Sequence, residues 1–183
     1  MQKIILLSGK AEHGKTTMAN FLKEKLEDKG YTVVITRYAY YLKDLAKRYC
    51  QWNGTKDEHG RFLLQNLGTD IIRKKLNKPN FHVGRICEDI EICQEYVDYV
   101  IIDDTRFENE IYYPKAMFGD KVKSIRIKRQ YESGNTYVSS LTEEQKQHIS
   151  ETALDNFNFD FYITAKNLEE LEDGANKIIL EIE

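Results

Sequence analysis

Gly9-Lys-Ala-Glu-His-Gly-Lys-Thr16 has the spacing of a phosphate-cradling loop: Gly, four residues, Gly-Lys, then Ser or Thr. Just before it, Lys3–Ser8 is a short apolar run of strand type, and residues 17–26 after it carry apolar positions at helical spacing. Strand, loop and helix therefore follow in the order that such a loop requires. Gly9 and Gly14 allow unusual dihedrals and close approach of the backbone to an anion. Successive N–H groups can then converge on phosphate oxygens at a helix N-terminus, whose partial positive charge favours them. Lys15 adds a mobile charge for the terminal phosphates, Thr16 a hydroxyl for Mg²⁺, and His13 and Thr17 complete the cradle. A nucleoside triphosphate with Mg²⁺ is the expected occupant; a Gly-rich turn that binds nothing is the bland alternative.

The rest of the composition narrows the class. The chain has 183 residues, 41% hydrophobic and 31% charged, which suits one domain over residues 1–183 with a small excursion. A net charge of −3 gives no overall basic field, so a polynucleotide partner is not expected. No run reaches the length of a membrane span, and the first strand opens without a leader pattern, so a cytoplasmic protein is expected. Cys50, Cys87 and Cys93 are odd in number and match neither a zinc knuckle nor a redox pair. His13, His59, His82 and His148 are scattered without metal-ligand spacing.

Further strands are expected at 31–36, 99–103, 122–128 and 159–164, with helices at about 40–52, 58–76, 81–97, 107–118 and 168–182 between and after them. Gly68 should interrupt or bend the second of these helices, and Asn167 should cap the last. The face assignment of 122–128 is left open. Residues 130–147 are polar, contain Ser133-Gly134-Asn135, and read as a mobile lid. Strands alternating with helices predict a three-layer α/β domain with a parallel five-stranded sheet.

Asp103 and Asp104 end a buried strand, where open α/β sheets place their ligand crevice. Such a carboxylate commonly serves Mg²⁺; Thr16 and Asp104 are the candidates for it, and whether Asp103 or Asp104 serves the metal is left open. Asp104 or Thr105 could instead cap the next helix, with Thr105 and Glu108 as a capping box. Arg106 points a planar charge toward the same crevice, and Arg129 stands where the fourth strand meets the lid. Lys15, Asp104, Arg106 and Arg129 are thus the expected catalytic set. Arg37, Lys43, Arg61, Gln65 and Asp70 are candidates for holding an acceptor, and Arg61 and Gln65 share a helix face.

These residues carry a likeness over nearly the whole chain. Leu7 to Lys15, Leu42-Lys43-Asp44, Arg61 to Gln65 with Leu67 to Asp70, Asp104-Thr-Arg106 with Glu110, Arg129, and His148 to Glu151 occur in family order. The chain resembles the bacteriophage-type deoxynucleoside monophosphate kinases, P-loop enzymes of adenylate-kinase-like fold. The resemblance implies transfer of the ATP γ-phosphate, with Mg²⁺, to a (deoxy)nucleoside monophosphate. It places Lys15, Arg106 and Arg129 on phosphates, and Lys43, Arg61 and Glu110 on the monophosphate. Phe81 falls near the base, and His148 and Glu151 in the closing segment. It implies a phage or prophage source. The family's best-known member has an insertion that residues 50–61 lack, so a homodimer is left open; Phe81 replaces an expected Trp, and Lys146 an expected Asp. Two other readings stand beside this one: a P-loop kinase for dephospho-coenzyme A or phosphomevalonate, and a nucleotide-binding switch module. Against the module, Asn77-Lys-Pro-Asn80 ends in the wrong residue to read guanine, and Asp57-Glu-His-Gly60 follows no strand.

Overall fold

The computed structural model describes residues 2–55 and 57–183. Five strands, β1 (Lys3–Ser8), β2 (Val33–Thr36), β3 (Tyr99–Thr105), β4 (Val122–Arg129) and β5 (Phe161–Ala165), pair in the order β2-β3-β1-β4-β5. Every pairing is parallel. The phosphate loop follows β1, the central strand, so it emerges at the carboxyl edge with β3 and β4 on either side.

Strand alternation sends successive side chains to opposite faces. Ile5, Leu7, Ile101, Ile125 and Ile127 enter one core with residues of α1 (Lys15–Asp28) and α8 (Leu168–Ile182). Ile4, Leu6, Val100, Ile102 and Val122 enter the other, against α4 (Phe81–Ile92) and α5 (Asn109–Phe118). The expected three-layer α/β sheet is therefore present, and β4 is buried on both faces, which is why its periodicity left the face open. Each fully buried Ile or Leu contributes about 1.5–3 kcal/mol, so this double core is what fixes the carboxyl edge in place.

The helices between β2 and β3 are built differently from expectation. α2 (Ala39–Tyr49) is followed by α3 (Glu58–Gln65), which runs without a break into a π-helix, Asn66–Lys75. Gly68 neither ends nor interrupts the helix. A Cβ there would lie 3.0 Å from Leu42 Cδ2, so Gly68 permits close packing on α2. α4 stops at Ile92, five residues before the expected end.

No capping box forms at Thr105 and Glu108: Glu108 precedes α5 without a side-chain cap, and the Glu110 carboxylate reaches back instead to the amides of Arg106 (2.6 Å) and Phe107 (3.1 Å). Pro114 lies inside α5 and has no N–H to donate to the carbonyl of Glu110 four residues earlier. The buried Tyr38 hydroxyl donates to that carbonyl at 2.7 Å. Segment 130–147 carries a bridge from Gln130 to Thr136 and the short helix α6 (Glu143–Gln147), closed by a Thr142–Gln145 capping box; α7 (Ile149–Thr152) follows. Asn167 caps α8, accepting from the Glu170 amide at 3.0 Å. Among the described residues no helix is long and apolar enough to cross a membrane.

Candidate active site

The loop is shaped by its two glycines. A Cβ on Gly9 would lie 2.7 Å from the carbonyl oxygen of Ile127 in β4, and Gly14 has φ +89°. Both positions exclude larger residues, one by contact and one by conformation. Lys15 folds across the loop and donates to the carbonyls of Gly9 and Lys10, each at 2.8 Å. Desolvation, and then the nearby charge of Arg106, push its pKa down to about 7.

The loop stands between two cavities. On one side, about 390 Å³ is enclosed by Glu12 to Thr17, Arg129 and residues 165–168 at the start of α8. On the other, about 420 Å³ lies between the loop, α2, the α3–π helix and the end of β3. Glu12, Lys15 and Thr16 border both.

Strand alternation separates the two carboxylates of β3. Asp103 points to the α1 face, where Thr16 Oγ1 donates to its Oδ2 at 2.8 Å and Arg37 grips it through Nε and Nη2, both at 2.5 Å. Asp104 points to the opposite face and accepts the amides of Tyr38 (2.9 Å) and Ala39 (3.0 Å), capping α2 from outside that helix. Burial raises its pKa. Of the two carboxylates left open for the metal, it is Asp103 that meets Thr16, because Ile101 and Asp103 share the face that meets α1.

Arg37, Lys43, Arg61, Gln65, Arg106 and Glu110 all border the larger cavity. Arg106 pairs with Glu151, whose second carboxylate oxygen accepts the Ala11 amide at 3.0 Å. Lys10 reinforces this contact through the Glu151 carbonyl (2.6 Å) and the Asp155 carboxylate (2.6 Å). Arg129 borders the smaller cavity only, its guanidinium 4.0 Å from the centre of the Tyr137 ring.

His13 joins the loop to segment 130–147. Its Nδ1 accepts the Arg129 amide at 3.2 Å, which leaves Nε2–H to donate to the Tyr137 carbonyl at 3.2 Å. Glu12 also holds this segment, through the Ser140 amide (2.9 Å) and hydroxyl.

Four expected residues do not line either cavity. Gly9 opens the loop, its carbonyl accepting from Lys15 at 2.8 Å. Asp70 is exposed and pairs with Lys74 at 2.7 Å. His148 caps α7, with Nδ1 2.8 Å from Ser150 Oγ. Phe81 packs edge-on against His82, and it is His82 that borders the cavity. The sequence reading also missed Arg73, which reaches the Glu110 carboxylate at 2.5 Å and lies 4.0 Å from the centre of the Phe107 ring. Its one legible signal was a position four residues after Thr69 on the cavity side of the helix.

No protein-family model matches the chain, and no curated protein matches it. Among solved structures it is similar to the APS kinase CysC of Mycobacterium tuberculosis, with a TM-score of 0.53 and 10% identity over 98% of this chain and 97% of that one. The same kinase in complex with AMPPNP and APS gives 0.52 and 11%, covering 98% of each chain. The crystal structure of APE1195 gives 0.50 and 14% over 99% and 94%. At these identities the likeness is one of fold, and the chain has the parallel five-stranded α/β fold that the APS kinase also has.

Proposed function

We propose that this protein is a kinase that transfers the γ-phosphate of ATP to a (deoxy)nucleoside monophosphate. The observation that supports it most is the position of the phosphate loop between two cavities of similar size, with Lys15 and Thr16 bordering both. A donor in the smaller cavity and an acceptor in the larger one would meet at Lys15, with little covalent chemistry left for the protein to perform. The acceptor cavity holds Arg37, Lys43, Arg61 and Arg106, a density of positive side chains that suits an acceptor which is itself a phosphate ester. The sequence likeness to the bacteriophage-type deoxynucleoside monophosphate kinases supports the same acceptor class.

The residues present fit Mg²⁺. The Thr16 hydroxyl and the Asp103 carboxylate already converge at 2.8 Å, and they would hold the ion together with the nucleotide phosphates. Among the described residues no three His, Cys, Asp or Glu side chains form a metal cage, which suits an ion that keeps phosphate and water among its ligands. When bound, the ion would neutralise charge on the transferring phosphate. Lys15 and Arg106 orient the phosphates from the protein side, and the lid segment 130–147, tied to the loop through Glu12 and His13, would exclude water.

The test is ADP release from ATP and Mg²⁺ over all ribo- and deoxyribonucleoside monophosphates. APS, which the neighbouring kinase binds, joins dephospho-coenzyme A and phosphomevalonate as further acceptors in the same panel. Stimulation by one or more monophosphates, abolished in Lys15→Ala, supports the proposal. Tight ATP binding with no stimulation by any monophosphate overturns it.

A further inference from the structure

The acceptor cavity is lined by two chemically different groups of side chains. Near the loop it is lined by Lys15, Thr16, Arg37 and Arg106, with Arg37 and Arg106 paired to Asp103 and Glu151, whereas Thr69, Arg73, His82 and Phe107 line it elsewhere. There Arg73 is engaged within the protein. Arg73 donates to the Pro79 carbonyl (2.9 Å), to Asn109 Oδ1 (3.2 Å) and to Glu110 Oε1 (2.5 Å). Asn109 in turn donates to Pro79 and to Asn80.

His82 is the exception. It is 4% exposed, and neither Nδ1 nor Nε2 has a hydrogen-bond partner in the protein. Leaving a buried polar group unpaired costs stability, which a phenylalanine at the same place in α4 would avoid. Burial, with the charge of Arg73 acting in the same direction, lowers the His82 pKa to about 4. Its imidazole is therefore neutral near pH 7 and offers one N–H donor and one nitrogen acceptor. Phe107, over whose ring the Arg73 guanidinium lies, borders the same cavity. A neutral donor–acceptor group in a cavity that also presents an aromatic ring suits a flat heterocycle with a polar edge.

We infer that His82 is the specificity-determining residue of the acceptor site, hydrogen-bonding to the edge of the acceptor's base while its phosphate lies near the loop. This rests on the acceptor being a nucleoside monophosphate. An imidazole kept unpaired inside the fold distinguishes bases because a base with the wrong edge leaves the nitrogen unpaired, whereas the right one satisfies it.

Steady-state kinetics over the eight common ribo- and deoxyribonucleoside monophosphates, with thermal melting, on wild type, His82→Phe and His82→Gln, test this. The expected result for His82→Phe is a melting temperature at or above wild type and an unchanged KM for ATP. The ratio of kcat/KM between the best and worst base should fall about tenfold, mainly through KM of the preferred acceptor. His82→Gln, which keeps a donor and an acceptor on a different shape, should reorder the bases. Wild-type ratios retained in a folded His82→Phe overturn the inference and leave the kinase proposal intact, as does unfolding of both variants, which would make His82 a structural residue. No turnover of any monophosphate by the wild type overturns both.

Discussion

The carboxylate of Glu151 accepts the backbone N–H of Ala11 in the phosphate loop at 3.0 Å and pairs through its other oxygen with Arg106. A negative group therefore already engages a loop amide and an arginine proposed to meet phosphate. An incoming polyphosphate competes with it, and its charge repels the phosphates. Glu151→Gln should bind a non-hydrolysable ATP analogue about fivefold more tightly, roughly 1 kcal/mol, in calorimetric titration. Weaker binding would mean that Glu151 serves chiefly to hold Arg106 in place.

Asp103 and Asp104 are sequence neighbours with separate tasks. Asp103 is held by Thr16 and Arg37, whereas Asp104 caps the start of α2. With Asp103 on the Mg²⁺ side, Asp103→Asn should lower kcat by about 100-fold or more and raise the Mg²⁺ concentration needed for half-maximal rate. Asp104→Asn should show its main effect in stability, about 1 kcal/mol, or about 2–4 °C in melting temperature for a chain of this size. The reverse pattern would assign the metal role to Asp104.

Glu110 is buried, and burial raises its pKa to about 7 against the pull of Arg73 and the two amides it accepts. Because the folded state binds this proton more tightly than the unfolded chain, whose value is 4.5, the contribution is fully present below 4.5. It is lost as pH rises through about 7. Between these limits the stability of the wild type should fall with pH more steeply than that of Glu110→Gln, by up to about 1.4 kcal/mol per pH unit. Chemical denaturation at half-unit steps from pH 5 to 8 measures the two slopes; equal slopes would refute the raised pKa.

The Tyr38 hydroxyl serves the carbonyl that Pro114 leaves without an amide partner. Tyr38→Phe should cost about 1–2 kcal/mol in wild type, since it strands the Glu110 carbonyl in the core. In a Pro114→Ala background the same change should cost less, because the new amide can take that carbonyl. A double-mutant cycle by urea unfolding reads the coupling, and additive effects would deny the link.

The strands, the loop and α8 were legible because their signals are local: apolar runs, a fixed glycine spacing and an Asn cap. The split between Asp103 and Asp104 was not. Ile101 and Ile102 are both apolar because both faces of β3 are covered, so nothing in the sequence marks which carboxylate turns toward α1. The change from α to π turns after Gln65 was invisible as well, since Gly68 looks like a breaker unless Leu42 is known to pack on it. Phe81 and His82 differ by one helical step, about 100°, which decides which of them faces the cavity and which lies outside it. Arg106, Arg61, Lys43 and Gln65 border the larger cavity because they sit beyond the carboxyl ends of strands or on one helix face.

Tyr38, Glu110 and Pro114 also make a statement about descent. A hydroxyl before α2 and a missing amide in α5 act on one backbone carbonyl and are written in two distant codons; losing the hydroxyl while Pro114 remains leaves that carbonyl stranded. Related chains with Phe at position 38 should therefore carry a residue with an N–H at position 114. Phe with Pro should be rare or compensated nearby, so Pro at 114 forecasts a hydroxyl at 38 across the fold.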